Sequence, residues 1–303
     1  MSQTALVVGE SLVDLVRGAD GSTIEFPGGS AANVAVALAR LGREVRFATS
    51  WGDDDRGRVL AERLRHDGVQ LAGDPYAVGH TSTALATIGA DGAASYEFDL
   101  AWRLNPVESG LDARVVHTCS LGAVLTPGCD DVLALLRRLR ETATISYDVN
   151  ARPAITGTGP ELVARVEAVA TLSDLVKASD EDLAALYDGV DPIAGAKRLL
   201  SLGPAVVVVT RGQDGATWLT STQETDVASV PVVVADTIGA GDTFCAGVID
   251  ALWKRDLLGA DRRRRLADAT RDTVVSVLAH AARAASITVS RPGADPPYQR
   301  ELA

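Results

Sequence analysis

The chain of 303 residues carries a formal net charge of −11, which argues against nucleic acid or an anionic membrane as its main partner. Hydrophobic residues at 47% and charged residues at 23% describe an ordinary folded protein with ample core rather than a disordered or fibrous one. Cys119, Cys129 and Cys245 are odd in number and lack metal-ligand spacing, so reduced thiols and a cytoplasmic setting are expected.

Met1 to Glu10 has neither a basic segment nor a long apolar run, so no signal peptide is expected, and no apolar stretch of about 18 residues is present to span a membrane. Thr4 to Val8 reads as a buried strand ending in Gly9-Glu10. Ser11 to Val16 continues extended, with Asp14 among apolar neighbours, and residues 19–22 form a turn. Gly28 and Gly29 permit close approach of backbone to a ligand. Ser30 is a natural N-cap for a helix that runs to Leu41 and stops at Gly42. Asn33 falls in its first turn, where an amide is neither a strong helix former nor core-like.

Val45 to Thr49 is the next strand, followed by a helix to about His66. Asp53, Asp54 and Asp55 directly precede that helix, and capping explains them better than a metal does. Thr81 to Arg103 reads as two alternating strands around Gly89–Gly92. With Val13 to Phe26 they predict a small sheet outside the main series, a lid built from about residues 11–27 and 77–104.

From Val115 the rhythm becomes strand, helix, strand. Strands are expected at Val115–Cys119, Thr144–Asp148, Leu175–Ala178, Val206–Thr210 and Ala216–Leu219. Helices are expected at about Asp130–Glu141, Pro160–Ala170, Glu181–Tyr187, Pro192–Ser201, Thr243–Trp253 and Asp261–Ser286. The fold class is therefore α/β, a doubly wound, mostly parallel sheet flanked by helices, with a small β-sheet beside it. Arg262 to Arg265 read as a solvated face of the last helix. In such a sheet ligands bind beyond the carboxyl ends of the strands, where Asp14, Asp148, Asn150, Arg152, Lys177, Ser179, Thr210, Gly212 and Asp236 collect.

The β-branched run Val230 to Val234 leads into Gly239-Ala240-Gly241-Asp242. The two glycines let N–H groups converge at a helix N-terminus, a setting that favours an anion. Asp242 is then either a helix cap or a base that collects a proton beside a transferring phosphoryl group. A Walker loop and a Gly-x-Ser-x-Gly elbow are absent, a dinucleotide fingerprint is poorly supported, and His66, His80, His117 and His280 do not pair at metal spacing.

Asp236 to Gly247 resembles the C-terminal motif of the ribokinase-like (PfkB) carbohydrate kinases, and Pro27 to Gly42 resembles their N-terminal motif. Gly9 to Asp14, Trp51 to Gly57, Asp148 to Pro153, Thr210 to Gly215 and Arg291 to Gly293 extend the resemblance nearly end to end. It implies one kinase domain over residues 1–303 and transfer of the γ-phosphoryl of ATP to a sugar hydroxymethyl group. By the same resemblance Asp242 is the base, and Gly239, Ala240 and Gly241 form the anion hole. Asp14, Gly28, Gly29, Asn33 and Arg152 hold the sugar, with Arg103, Phe98 and Trp102 of the lid bearing on its identity. Lys177, Ser179, Thr210, Gly212, Gly215 and His280 would serve ATP.

Where the family has Asn or Ser, two residues and then Glu near Mg2+, this chain has Ser179-Asp-Glu-Asp182. Asp182 is one methylene shorter, and Glu181 is its alternative. A monovalent cation such as K+ would lie on carbonyls near Asp236, Ile238, Thr288, Arg291 and Gly293. The pattern is most like fructokinases; 2-keto-3-deoxygluconate kinase, or another sugar or nucleoside kinase of the family, is the alternative. A silent sugar- or nucleotide-binding regulator and a nicotinamide oxidoreductase are more distant readings. The polar strand edges of the lid suggest a homodimer.

Overall fold

The computed structural model describes residues 4–18, 20–88, 94–107 and 111–302. Strand β1 (Thr4–Val8) lies inside the main sheet and alternates between two cores, with Ala5 and Val7 on one face and Leu6 and Val8 on the other. Both faces being apolar is what a parallel strand covered by helices on each side requires. The chain then forms β2 (Leu12–Arg17), β3 (Thr23–Gly28), α1 (Ser30–Arg40), β4 (Glu44–Ala48) and α2 (Asp55–His66). Asp54 caps α2, its carboxylate accepting the Gly57 N–H at 2.8 Å. Short β5 (Gln70–Leu71) follows, then β6 (Thr83–Ile88) and β7 (Ala94–Asp99).

Alternating strands and helices resume with β8 (Ala113–Cys119), α3 (Ser120–Val124), α4 (Gly128–Leu139), β9 (Thr144–Asp148), α5 (Pro153–Thr156) and α6 (Pro160–Leu172). Next come β10 (Leu175–Ser179), α7 (Asp180–Leu186), α8 (Pro192–Ser201) and β11 (Val206–Thr210). The chain ends with β12 (Ala216–Leu219), β13 (Glu224–Val227), α9 (Ala240–Lys254), α10 (Arg263–Ala267) and α11 (Arg271–Val289).

The main sheet has nine strands in the order β13-β12-β11-β10-β9-β8-β1-β4-β5. It is parallel from β11 to β5 and antiparallel only at the β12 and β13 edge. Apolar residues of α1, α2, α9 and α11 fill one core, and those of α4, α6, α7 and α8 fill the other. The expected doubly wound sheet is what forms. A second sheet, β3-β2-β6-β7, stands apart from it. One face of that sheet rests on the body through Val13, Leu15 and Leu85. The other carries the register rows Phe26–Asp14–Ala84–Phe98 and Ile24–Val16–Ala86–Tyr96.

Several local expectations differ. The helix expected over Asp261–Ser286 is divided: α10 stops at Ala267, and Thr270 caps α11 by accepting the Thr273 N–H at 3.3 Å. A hydroxyl at that point satisfies an orphan donor at the start of a second helix. The arginine run is not one solvated face either, because Arg263 turns inward to Asp174 at 2.5 Å while Arg262 and Arg265 pair with Asp256. The β-branched run Val230–Val234 is an irregular, exposed segment, with Val233 89% accessible. Strands β5 and β13 were not legible, being too short for alternation to show. The turn expected at Gly89–Gly92 lies outside the described residues. Among the described residues no helix is long and apolar enough to cross a membrane.

Candidate active site

Helices α1 and α9 start at the same place. Gly29 is the N-cap of α1, at φ 100°, and a Cβ on it would meet the Glu10 carbonyl oxygen at 2.7 Å. Ser30, expected as the cap, is instead the first helical residue and makes no capping bond. Gly239 is the N-cap of α9 in left-handed conformation, φ 75°, so Ala240, Gly241 and Asp242 form the first turn. The N–H groups of Gly241 and Asp242 therefore have no acceptor within the helix. Asp242 is buried, and its carboxylate accepts from Ser30 Oγ at 2.6 Å and Asn33 Nδ2 at 2.8 Å. The structure thus brings the N-terminal and C-terminal glycine turns together around one carboxylate.

Around this pair lies a set of carboxyl groups with displaced titrations. Glu10, at the end of β1, is buried and accepts from Ser30 N at 3.2 Å and Gly122 N at 2.6 Å. Burial raises its pKa to about 7, against those backbone donors, and the Asp242 charge adds to the rise. Asp14 lies beside Gly28, where a Cβ would fall 2.1 Å from its Oδ2; only glycine leaves that carboxyl room. Burial lifts Asp14 to about 6, while Arg63 and Arg152 pull it down. Arg63 of α2 holds three elements at once: Nη1 donates to Pro27 O at 2.6 Å, and Nη2 to Asn33 Oδ1 at 3.0 Å and Ala294 O at 3.4 Å. Nothing in the periodicity of α2 marks Arg63, whereas Glu10 carried a signal, an acid following a glycine at a strand end.

Beyond Asp242 opens a cleft of about 740 Å³. Lys177, Ser179, Glu181, Asp182, Thr210, Gly212 and Gly215 line it together with Ala240 and Gly241. Val230, Pro231, Val232 and Val234 share the apolar lining of the cleft with Leu278 and Ala282, which explains why that β-branched run is exposed. Lys177 is buried with Asp148, Nζ to Oδ1 3.1 Å, and a Cβ on Gly241 would sit 3.1 Å from Nζ. Burial opposes the Lys177 charge, but Asp148 outweighs it and the pKa rises. Asp148 is itself pushed up to about 6 by burial, with Lys177 opposing. Ser179 and Asp182 form a capping box on α7: Asp182 Oδ2 accepts Ser179 N at 2.8 Å, and Oδ1 accepts Ala151 N at 2.7 Å. Both oxygens of Asp182 thus hold backbone, while Glu181 is exposed in the cleft.

Arg152 Nη1 donates to Asn150 Oδ1 at 2.7 Å. Phe98 shares a register row with Asp14 and stacks on Tyr96, ring centres 6.3 Å apart. Asp236 accepts the N–H groups of Ile238 at 3.0 Å and Gly293 at 2.9 Å, joining the turn before α9 to the segment after α11. Thr288 is buried against Thr243 at 2.9 Å, and Arg291 pairs with Asp295 and Glu301.

Three expectations do not meet this site. His280 points to Asp250 at 2.8 Å rather than into the cleft. That carboxylate also takes Arg43 and Lys254; burial would raise its pKa, but these three donors bring it to about 2. Arg103 is exposed, and the charges that act on Asp14 are those of Arg63 and Arg152 instead. Trp102 is buried in the second core, its Nε1 donating to Gly122 O at 3.0 Å, so it packs the body rather than a sugar.

A family model described as pfkB family carbohydrate kinase matches residues 2–300. A fructokinase of Rhizobium leguminosarum bv. trifolii is 34% identical over 266 residues, covering 84% of this chain and 81% of that protein. The crystal structure of fructokinase with bound ATP from Xylella fastidiosa superposes with a TM-score of 0.87 at 26% identity, covering 100% of this chain and 97% of the other. A fructokinase double mutant from Vibrio cholerae O395, in a form with fructose, ADP and potassium ion bound, gives a TM-score of 0.80 at 26% identity, covering 99% of this chain and 97% of the other.

Proposed function

Since the chain belongs to the pfkB family of carbohydrate kinases, we propose that it transfers the γ-phosphoryl group of ATP to a hydroxymethyl group of fructose. The observation that carries this reading is the Asp242 carboxylate at the N-terminus of α9, held by Ser30 and Asn33 from the opposite end of the chain. Asp242 takes the proton of the sugar hydroxyl as it attacks. The first-turn N–H groups of Gly241 and Asp242, presented by the Gly239-Ala240-Gly241 turn, receive the phosphoryl oxygens, where the helix dipole favours negative charge. Asp14, Asn33 and Arg152 hold the other sugar hydroxyls against the Gly28 and Gly29 backbone, with Phe98 alongside. The cleft lined by Thr210, Gly212 and Gly215 takes the nucleotide, its apolar wall suiting a base.

Bound Mg2+ would neutralise charge on the phosphate oxygens. Glu181 is the carboxylate left to serve it, because Asp182 is committed to α7 and Ala151. A monovalent cation, K+ in particular, fits between the turn carrying Asp236 and Ile238 and the segment Thr288 to Gly293. The four-stranded sheet is the lid, and two copies pair through it in a cytoplasmic homodimer.

A coupled ADP-release assay over fructose, ribose, 2-keto-3-deoxygluconate, tagatose phosphate and nucleosides tests the substrate. Fructose is expected to give the highest kcat/KM, and a higher value for another acceptor would overturn fructose. Asp242→Asn should lower kcat by at least roughly 10³ with sugar KM nearly unchanged. Retention of more than about a tenth of kcat would remove Asp242 from the role of base.

A further inference from the structure

Ser30 is the first residue of α1 and yet caps nothing. Its Oγ lies 2.6 Å from Asp242 Oδ1, 2.8 Å from Asn150 Nδ2 and 3.2 Å from Cys119 Sγ. A serine hydroxyl has one proton. The amide nitrogen of Asn150 can only donate, so a lone pair of Oγ faces it, and the proton goes to Asp242, the nearer of the two remaining neighbours. The amide itself cannot be reversed. Arg152 Nη1, which also can only donate, sits 2.7 Å from Asn150 Oδ1. Asn150 adopts φ 38°, a left-handed conformation that asparagine tolerates better than most residues. On the other carboxylate oxygen the same logic runs through Arg63, which fixes Asn33 Oδ1 and leaves Asn33 Nδ2 for Asp242 Oδ2.

We propose that Ser30 is a positioning residue for phosphoryl transfer. Through the relay Arg152–Asn150–Ser30 it holds Asp242 Oδ1 as an acceptor and keeps the carboxylate turned so that its remaining lone pairs face the sugar hydroxyl. This rests on Asp242 being the base. Ser30 is buried and spans 212 residues of sequence to reach its partner, so the hydroxyl is not explained by helix formation or by solvation. Alanine would suit the first turn of α1 at least as well.

The test is a pair of substitutions, Ser30→Ala and Asn150→Gly, each made in the wild type and in Asp242→Asn. Glycine keeps the left-handed backbone of Asn150 without strain. Ser30→Ala should lower kcat by about 10- to 100-fold, with KM for fructose and for ATP within about twofold, as loss of a bond to a charged, oriented group predicts. Asn150→Gly should lower kcat in the same direction by about threefold to tenfold, because Ser30 can then rotate. In the Asp242→Asn background, read by single turnover with enzyme in excess, Ser30→Ala should cost nothing further, since it acts only through the carboxylate. An equal loss in both backgrounds, or a rise in KM with kcat unchanged, overturns the positioning role. Substantial activity in Asp242→Asn alone overturns the base instead, so the two failures are distinguishable. Urea midpoints for each variant separate a folding defect from a catalytic one.

Discussion

Asp14 sits on the open face of the four-stranded sheet with Arg63 and Arg152 as its charged neighbours, and burial nonetheless carries its pKa from 3.8 to about 6. In the unfolded chain the carboxyl ionises near 3.8, whereas in the native protein it keeps its proton until about 6. Through that interval the native state binds more protons, so stability falls as pH rises. The contribution is fully present below the unfolded pKa and lost above the native one. The Tm of the wild type minus that of Asp14→Asn should therefore shrink by a few degrees between about pH 4 and pH 7 and then level off. Glu10 and Asp148, which also titrate high, are common to both proteins and cancel in the difference. A difference that grows with pH would contradict the assignment. Fructose KM should also rise below about pH 6 in the wild type, because a protonated carboxyl accepts fewer sugar hydroxyls.

Helix α7 shows how a short element can absorb a residue that its sequence position offers to chemistry. Asp182 accepts from the backbone at Ser179 and at Ala151, so Asp182→Ala should destabilise the protein by about 1–3 kcal/mol while leaving the Mg2+ requirement in place. Glu181→Gln should do the reverse, raising the Mg2+ concentration for half-maximal rate with little change in Tm; a Mg2+ titration and a melt on each variant decide it. The spacing in the sequence left Asp182 and Glu181 as alternatives, because a capping box and a metal ligand draw on the same residue types. Central strands such as β9 and β11 were readable to the residue, since an apolar run bounded by polar strand ends has few other meanings. The break before α11 was not, because Asp268 to Thr270 interrupts the pattern without glycine or proline. The two glycine turns were legible as anion- and ligand-friendly backbone, and their junction follows only from folding. Ser30 read as a cap because its pull toward Asp242 depends on a residue far along the chain. His280 illustrates the opposite error: an apparently suitable side chain in the right helix turns to a buried acid, Asp250, that local sequence does not reveal.

At the scale of the molecule, the outer face of the four-stranded sheet leaves Ile24 56%, Phe26 50% and Tyr96 61% exposed, side by side on adjoining register rows. Large apolar residues gathered on one face call for a cover, and in the proposed homodimer a second copy laid on the same sheet would provide it. Light scattering should then give twice the 31.5 kDa chain mass, and Phe26→Asp with Tyr96→Ser should give monomers. A monomeric wild type would refute pairing. The bonds from Ser30 and Asn33 to Asp242 span 212 and 209 residues. A chain leaving the ribosome therefore displays the Gly28-Gly29 turn and Ser30 early and acquires the Asp242 carboxylate that joins them only after some four-fifths of it has been made. With Asp242 as the proposed base, activity becomes a late event of synthesis, and an N-terminal fragment that lacks α9 is expected to show none.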